Sequence, residues 1–226
     1  MGLNEKFFKT ASAASATLLA NYTFNNTLAS TGGTLGTLQK SSASYVTGRF
    51  GNAISFGSGA TMSETSTTYG NIWTAMTRSN FVSGSASIWF KAGAINRRNI
   101  ILYNEKVPYL GLELGSNNQL YIGDGTDNHI LSGTTFGTND VVFACVTAER
   151  TNGAGNTQTC TGTLYTGVAG GTLSSVTGSG TTSNNTNTNF CFGHAVSSVG
   201  FGGWIDQTRF YDGVLDASEV QALYTE

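Results

Sequence analysis

The sequence predicts an all-β fold of the antiparallel sandwich kind, closed by one short helix, on three observations. Thirty glycines and a single proline accompany recurring Tyr, Phe, Val, Ile, Ser and Thr, the mixture of a chain that extends and turns often. From Leu18 onward, short alternating runs are separated by Gly, Asn, Ser and Thr turns at the spacing of sandwiches and barrels. A helical period emerges only near the C-terminus. With 226 residues, 39% of them hydrophobic, the chain holds the apolar material for one sizeable core. It divides into an arm with linker at 1–16 and one domain at 17–226.

The elements follow in order. LLANYTF (Leu18 to Phe24) opens the domain as its first strand. In SASIWFK, alternation places Ala86, Ile88 and Phe90 on one side; YLGLELG groups Leu110, Leu112 and Leu114; QLYIG, after an Asn117–Asn118 turn, groups Leu120 and Ile122. DVVFACVT carries Val141, Phe143 and Cys145 on one face. An Asn152–Gly153 turn registers a hairpin in which Cys145 faces Cys160, Phe143 faces Gly162 and Val141 faces Leu164. On that register the two cysteines are either neighbouring buried thiols or a cross-strand disulfide. Residues 178–189, GSGTTSNNTNTN, have nothing to bury and read as a surface loop.

GWIDQTRFY reads as the last strand, with Trp204, Asp206, Thr208 and Phe210 on one face, stopped by a turn at Asp212–Gly213. The helix over 216–224 has Asp216 as N-cap and Glu219 as its capping-box partner. Leu215 and Val220 form a staple, and Val220, Leu223 and Tyr224 make its apolar face.

Charge and hydropathy exclude some functions. A net charge of −2 without any run of Lys or Arg leaves no footprint for nucleic acid or an anionic membrane. No stretch reaches the roughly 20 apolar residues that cross a bilayer. ASAASA (Ala11 to Ala16) resembles a signal-peptidase site, but only Phe7 and Phe8 stand where an apolar core is needed, and Lys6 replaces the Ser or Thr of an N-myristoylation motif. Neither signal is assigned. Three cysteines, Cys145, Cys160 and Cys191, are too few and odd in number for a disulfide-stapled scaffold.

ANYTFNNTLAS (Ala20 to Ser30), GRFGNAISFGSG (Gly48 to Gly59), SGSASIWFKAG (Ser83 to Gly93), LYTGVAGGTL (Leu164 to Leu173) and the ending GGWIDQTRFYDGVLDASEVQALY occur in one order. Together they resemble the laminin G-like group of the concanavalin A-like lectin/glucanase superfamily. The resemblance implies a two-sheet antiparallel jelly roll in which Trp89, Trp204 and Phe210 are buried. Many relatives hold calcium with an Asp after the first strand, whereas NNTLASTGG has no acidic residue and Gln207 replaces an acidic residue after Asp206. Asp206 is read as a structural carboxylate taking backbone amides, with metal ligation the alternative. Calcium is the one cofactor left open.

The superfamily includes glycoside hydrolases, which need two carboxylates at about 5–5.5 Å or 6.5–9.5 Å. No two acidic residues here are two apart, and Asp212 and Asp216, four apart, lie in the turn and cap. Glu105 and Glu113 are the pair that different strands could bring together. The chain is read as a non-enzyme, and His129 and His194 as ordinary surface histidines.

Two functions remain. MGLNEKFFKTAS resembles the N-terminal arms of tailed-phage virion proteins, which implies a virion surface protein in capsid decoration or in a tail fibre. Phe7 and Phe8 would then bury in other virion proteins and Lys6 and Lys9 pair with their rim; a frayed terminus is the alternative. The second reading is a glycan-binding receptor-recognition module in which YIGDGTDNH supplies Tyr121 as an exposed aromatic and Asp124, Asp127 and Asn128 as polar contacts or weak calcium ligands. The same stretch fits an ordinary turn.

Overall fold

The computed structural model describes residues 16–33, 37–40, 44–56, 68–70, 82–104, 110–123, 128–154, 157–182, 190–193 and 200–226. Among these, the strands form two antiparallel sheets. The larger runs in the order β13 (Ser174–Thr182), β12 (Thr157–Val168), β11 (Val142–Ala154), β6 (Ser83–Ala92), β15 (Gly203–Tyr211), β4 (Asn52–Phe56) and β3 (Ser44–Thr47), with β1 (Leu18–Tyr22) also pairing with β15. The smaller runs β10 (Asn128–Thr135), β9 (Gln119–Gly123), β8 (Leu112–Leu114), β7 (Asn99–Asn104), β14 (Phe190–Phe192), β5 (Thr68–Gly70) and β2 (Gln39–Lys40). One helix, α1 (Ala217–Thr225), follows. This is the predicted antiparallel β-sandwich with a short C-terminal helix.

The space between the sheets is filled by the alternating residues the sequence singles out. Ala86, Ile88 and Phe90 of β6 meet Leu112 and Leu114 of β8 and Leu120 and Ile122 of β9 in one cluster. Tyr22, Phe24, Phe192 and Phe210 form a chain of ring contacts through it, with neighbouring centroids 5.9 to 6.5 Å apart.

A second cluster lies on the outer face of the larger sheet. Trp89, Phe143 and Cys145 project there and α1 covers them with Val220 and Tyr224, Leu215 sealing the approach. Asp216 caps the helix by accepting from the amides of Ser218 and Glu219, and the Glu219 carboxylate accepts from the Asp216 amide. Tyr224 stacks on Trp89 at 5.8 Å and donates its hydroxyl to the Val168 carbonyl at 2.6 Å. Phe143 is paired with Gly167, where an added Cβ would come within 2.8 Å of the Tyr224 ring. The first part of β11 is therefore apolar on both faces, with Phe143 and Cys145 under the helix and Val142, Ala144 and Val146 turned into the sandwich.

Four expectations are corrected. β11 runs straight through Asn152–Gly153, because its Thr- and Asn-rich end continues the backbone ladder. The ladder continues to Ala154 opposite Thr157, with a one-residue bulge between Arg150 and Asn152, so Cys145 faces Tyr165 and Cys160 faces Arg150. The two thiols lie in different clusters and form no disulfide with each other. Residues 178–182 are strand, since a polar edge strand needs only backbone pairing and no burial; Thr159 and Thr181, and Thr163 and Thr177, add hydroxyl contacts at 3.0 and 2.9 Å. Residues 183–189 lie outside the described residues.

The third and fourth corrections concern β15. Its pairing with β6 slips between Asp206 and Arg209, with Gln207 at a φ of 43°. This bulge puts Ile205 and Phe210 in the inter-sheet core, while Asp206 pairs with Trp89 of the helix-covered side. Trp204, Asp206, Thr208 and Phe210 therefore do not share one face. Trp204 is only half-buried, beside Lys91 and Ser55 in register and outside both clusters.

Candidate functional site

The segments that look most like a signature converge on structure. Asp206 is fully buried and accepts from the amides of Arg49, Phe50 and Gln207 at 2.8 to 2.9 Å. A Cβ on Gly48 would meet its Oδ2 at 2.6 Å, so the GRFG turn closes on this carboxylate only with glycine there. The Arg49 guanidinium lies 4.0 Å over the Trp89 ring. Burial raises the Asp206 carboxyl above the ordinary range, against the pull of its three amides. In the loop after β1, Asn25 accepts from the Asn52 amide at 2.7 Å, a neutral tie between loops. Among the described residues no group of three His, Cys, Asp or Glu side chains is placed to hold a metal ion.

The outer face of the smaller sheet is different. Register aligns Leu131 of β10, Tyr121 of β9 and Glu113 of β8, opposite in alternation to the core residues Leu112, Leu120, Ile122 and Ile130. Arg98, just ahead of β7, donates from Nε and Nη2 to the two oxygens of Glu113 at 2.6 and 2.9 Å, a fork-on-carboxylate pair. The Glu113 side chain is 2% exposed and that of Arg98 37%. The hydrogen bond to Glu113 holds the Arg98 guanidinium further up. Burial, and then the Glu113 charge, raise the Tyr121 phenol, while Arg98 pulls it the other way.

Local structure fixes this cluster. Gly115 leaves room for the Tyr121 ring, since a Cβ there would stand 2.7 Å from it. The turn into β9 has Asn118 at a φ of 63°, and Asn118 exchanges hydrogen bonds of 2.6 and 2.8 Å with Asn96, which clamps the segment carrying Arg98. Arg98 is the member that the sequence reading missed. An Arg-Arg pair before a strand gives no sign of which arginine turns to the sheet.

Of the residues expected to bind ligand, Tyr121 is 6% exposed, so it is not the open aromatic platform anticipated. The exposed apolar group beside it is Leu131, at 42%. Asp124 and Asp127 lie outside the described residues, and of Asn128 only the backbone, at the start of β10, is described. Lys6, Phe7, Phe8, Lys9, Glu105 and His194 also lie outside them, and His129 is described only as β10 backbone. Glu113 is the one carboxylate on the described strands of this sheet, and Arg98 already engages both its oxygens. The arrangement can orient a hydroxyl-rich ligand by directed hydrogen bonds; a paired-carboxylate hydrolysis would need a second acid there.

Fold and face together define an antiparallel β-sandwich with a polar cluster on one sheet. The fold is shared with solved binding domains. Domain 4 of an extracellular arabinanase from Geobacillus stearothermophilus, solved in complex with arabinotriose, superposes with a TM-score of 0.62 at 19% identity, over 93% of this chain and 100% of that one. The binding domain of Paraclostridial Mosquitocidal Protein 1 gives 0.61 at 14%, over 92% of this chain and 51% of that one. The binding domain of botulinum neurotoxin serotype G gives 0.60 at 12%, with 92% and 51% covered. The chain thus spans about half of each toxin binding domain. No protein-family model and no curated protein matches the sequence.

Proposed function

We propose that this chain is a non-catalytic recognition module that binds a neutral glycan on the outer face of the smaller sheet. The observation that carries the reading is the buried Glu113 carboxylate held by part-exposed Arg98, next to Tyr121 and exposed Leu131. A neutralised ion pair suits sugar hydroxyls: it presents directed donors and acceptors with no net charge to attract an anion. Leu131 offers an aliphatic surface to the C–H face of a ring. The match over the full length of a domain solved with arabinotriose supports this reading. A printed array of neutral and acidic oligosaccharides tests it. Selective retention on a family of neutral glycans is the expected result, and a blank array or retention only on acidic glycans overturns it.

We further propose display on a virion surface as the setting for this module, a reading that rests on the resemblance of MGLNEKFFKTAS to the N-terminal arms of tailed-phage virion proteins. Thr17 donates to Asp212 Oδ1 at 2.7 Å and accepts from the Asp212 amide at 3.1 Å, tying the start of the sandwich to the turn ahead of α1. Ala16 packs with the helix-covered cluster. The sandwich has its own fastening at Ala16–Thr17, and in this reading Lys6, Phe7, Phe8 and Lys9 hold capsid or tail proteins. Two buried Phe side chains would contribute about 3–6 kcal/mol per copy before ordering entropy, multiplied by neighbouring copies in a lattice. Deleting residues 1–15 is expected to abolish incorporation into particles with the thermal midpoint unchanged. Full incorporation of that deletion and of the Phe7→Ser/Phe8→Ser variant removes the anchoring role.

A further inference from the structure

The larger sheet carries a second polar site, on the opposite side of the molecule from Glu113. Thr147 and Glu149 of β11 and Thr161 and Thr163 of β12 share the outer face, in register as Thr147 opposite Thr163 and Glu149 opposite Thr161. With Val214, which follows β15, they line a cavity of about 190 Å³. Thr163 is held by its 2.9 Å contact with Thr177. The side chains of Thr147, Glu149 and Thr161 make no hydrogen bond or ion pair among the described residues, although Thr147 is only 3% exposed. The Thr147 hydroxyl therefore keeps its hydrogen-bonding capacity for whatever occupies the groove.

We infer that this groove binds one neutral sugar ring. Three threonine hydroxyls both donate and accept, and the Glu149 carboxylate accepts from two vicinal hydroxyls at once. Val214, 43% exposed, supplies the aliphatic wall on which a ring's C–H face packs. The lining residues include no cation, so phosphate and carboxylate ligands meet only the Glu149 charge. A groove of this volume has room for a sugar ring. This site stands apart from the Arg98–Glu113 cluster and does not rest on the reading of that face.

The test is a titration of the full chain followed by backbone amide NMR, with D-glucose, D-galactose, L-arabinose and N-acetyl-D-glucosamine as probes and methylammonium as a cationic control. Saturable shifts at the amides of Thr147, Glu149, Thr161 and Thr163 with at least one sugar are expected, weakened about tenfold or more in Thr161→Val/Glu149→Gln. The inference is overturned if no sugar moves these four amides, if methylammonium moves them more than every sugar does, or if the double variant binds as the parent does. Should that variant fail to fold, the parent titration decides alone. Shifts at the amides of Tyr121 and Leu131 report the other face, so failure of one site is read separately from failure of the other.

Discussion

On the outer face of the larger sheet, Trp89 and Phe143 pack beneath Tyr224 of a capped helix, whereas on the outer face of the smaller sheet Arg98, Glu113 and Tyr121 form a polar cluster beside exposed Leu131. The first face is closed by the chain's own C-terminus with apolar contacts and one tyrosine hydroxyl. The second keeps Glu113 in a bidentate pair that costs desolvation and that well-packed apolar residues can often replace at no cost in stability. Stability thus accounts for the helix-covered part of the first face and poorly for the second. A polar cluster retained where packing does not need it is where recognition is to be sought.

The comparison breaks most sharply at Trp89. Trp89→Ala removes the ring on which Tyr224, Phe143, Phe50 and Arg49 all pack, and is expected to destabilise by about 3–5 kcal/mol. Urea unfolding measures it, and a loss under about 1 kcal/mol means the helix does not seal that face. Arg98→Ala is expected to cost less, about 1–3 kcal/mol, since the guanidinium it removes is more than a third exposed while the carboxylate left behind is buried. Arg98→Ala/Glu113→Gln should recover part of that loss; no recovery in the same assay would mean the pair is not the coupled unit described.

Asp206 sharpens the comparison through pH. Its folded pKa is raised, so the folded chain holds this proton more tightly than the unfolded chain, and its contribution is fully present below the ordinary carboxylate value near ~3.9 and lost as pH rises through the folded value. Asp206→Asn lacks this dependence. The stability difference between parent and variant should therefore shift toward the variant as pH rises across that window. A constant difference in urea midpoints over the same pH series contradicts the assigned direction.

Much of the fold was legible because burial repeats with the period of the backbone. Ala86, Ile88 and Phe90, or Leu112 and Leu114, need only be read at alternate positions to find the core, and the Asp216–Glu219 capping box fixes the helix start within three residues. What the period cannot show is where it breaks. The bulge at Gln207 exchanges faces within β15 with no glycine or proline to mark it, and the run of β11 on to Ala154, past an Asn-Gly pair that reads as a turn, moves the cysteine register. The candidate site was legible in part. Tyr121 was found as the aromatic of its strand, but its partners arrive from β8 and from the segment before β7, so only the sheet order brings Glu113 and Arg98 to it.

The smallest change in the molecule tests the account most directly. Leu131→Ser and Tyr121→Phe each alter the outer face of the smaller sheet by a few atoms, and Leu131→Ser, at an exposed position, should leave stability within about 0.5 kcal/mol. Isothermal titration of the best array-positive glycan against both variants, with urea unfolding in parallel, measures affinity and folding side by side. The account predicts a loss of about tenfold or more in affinity for the double variant Tyr121→Phe/Leu131→Ser with the unfolding midpoint nearly unchanged. Parent-like affinity in that variant would contradict it and place glycan recognition away from this face.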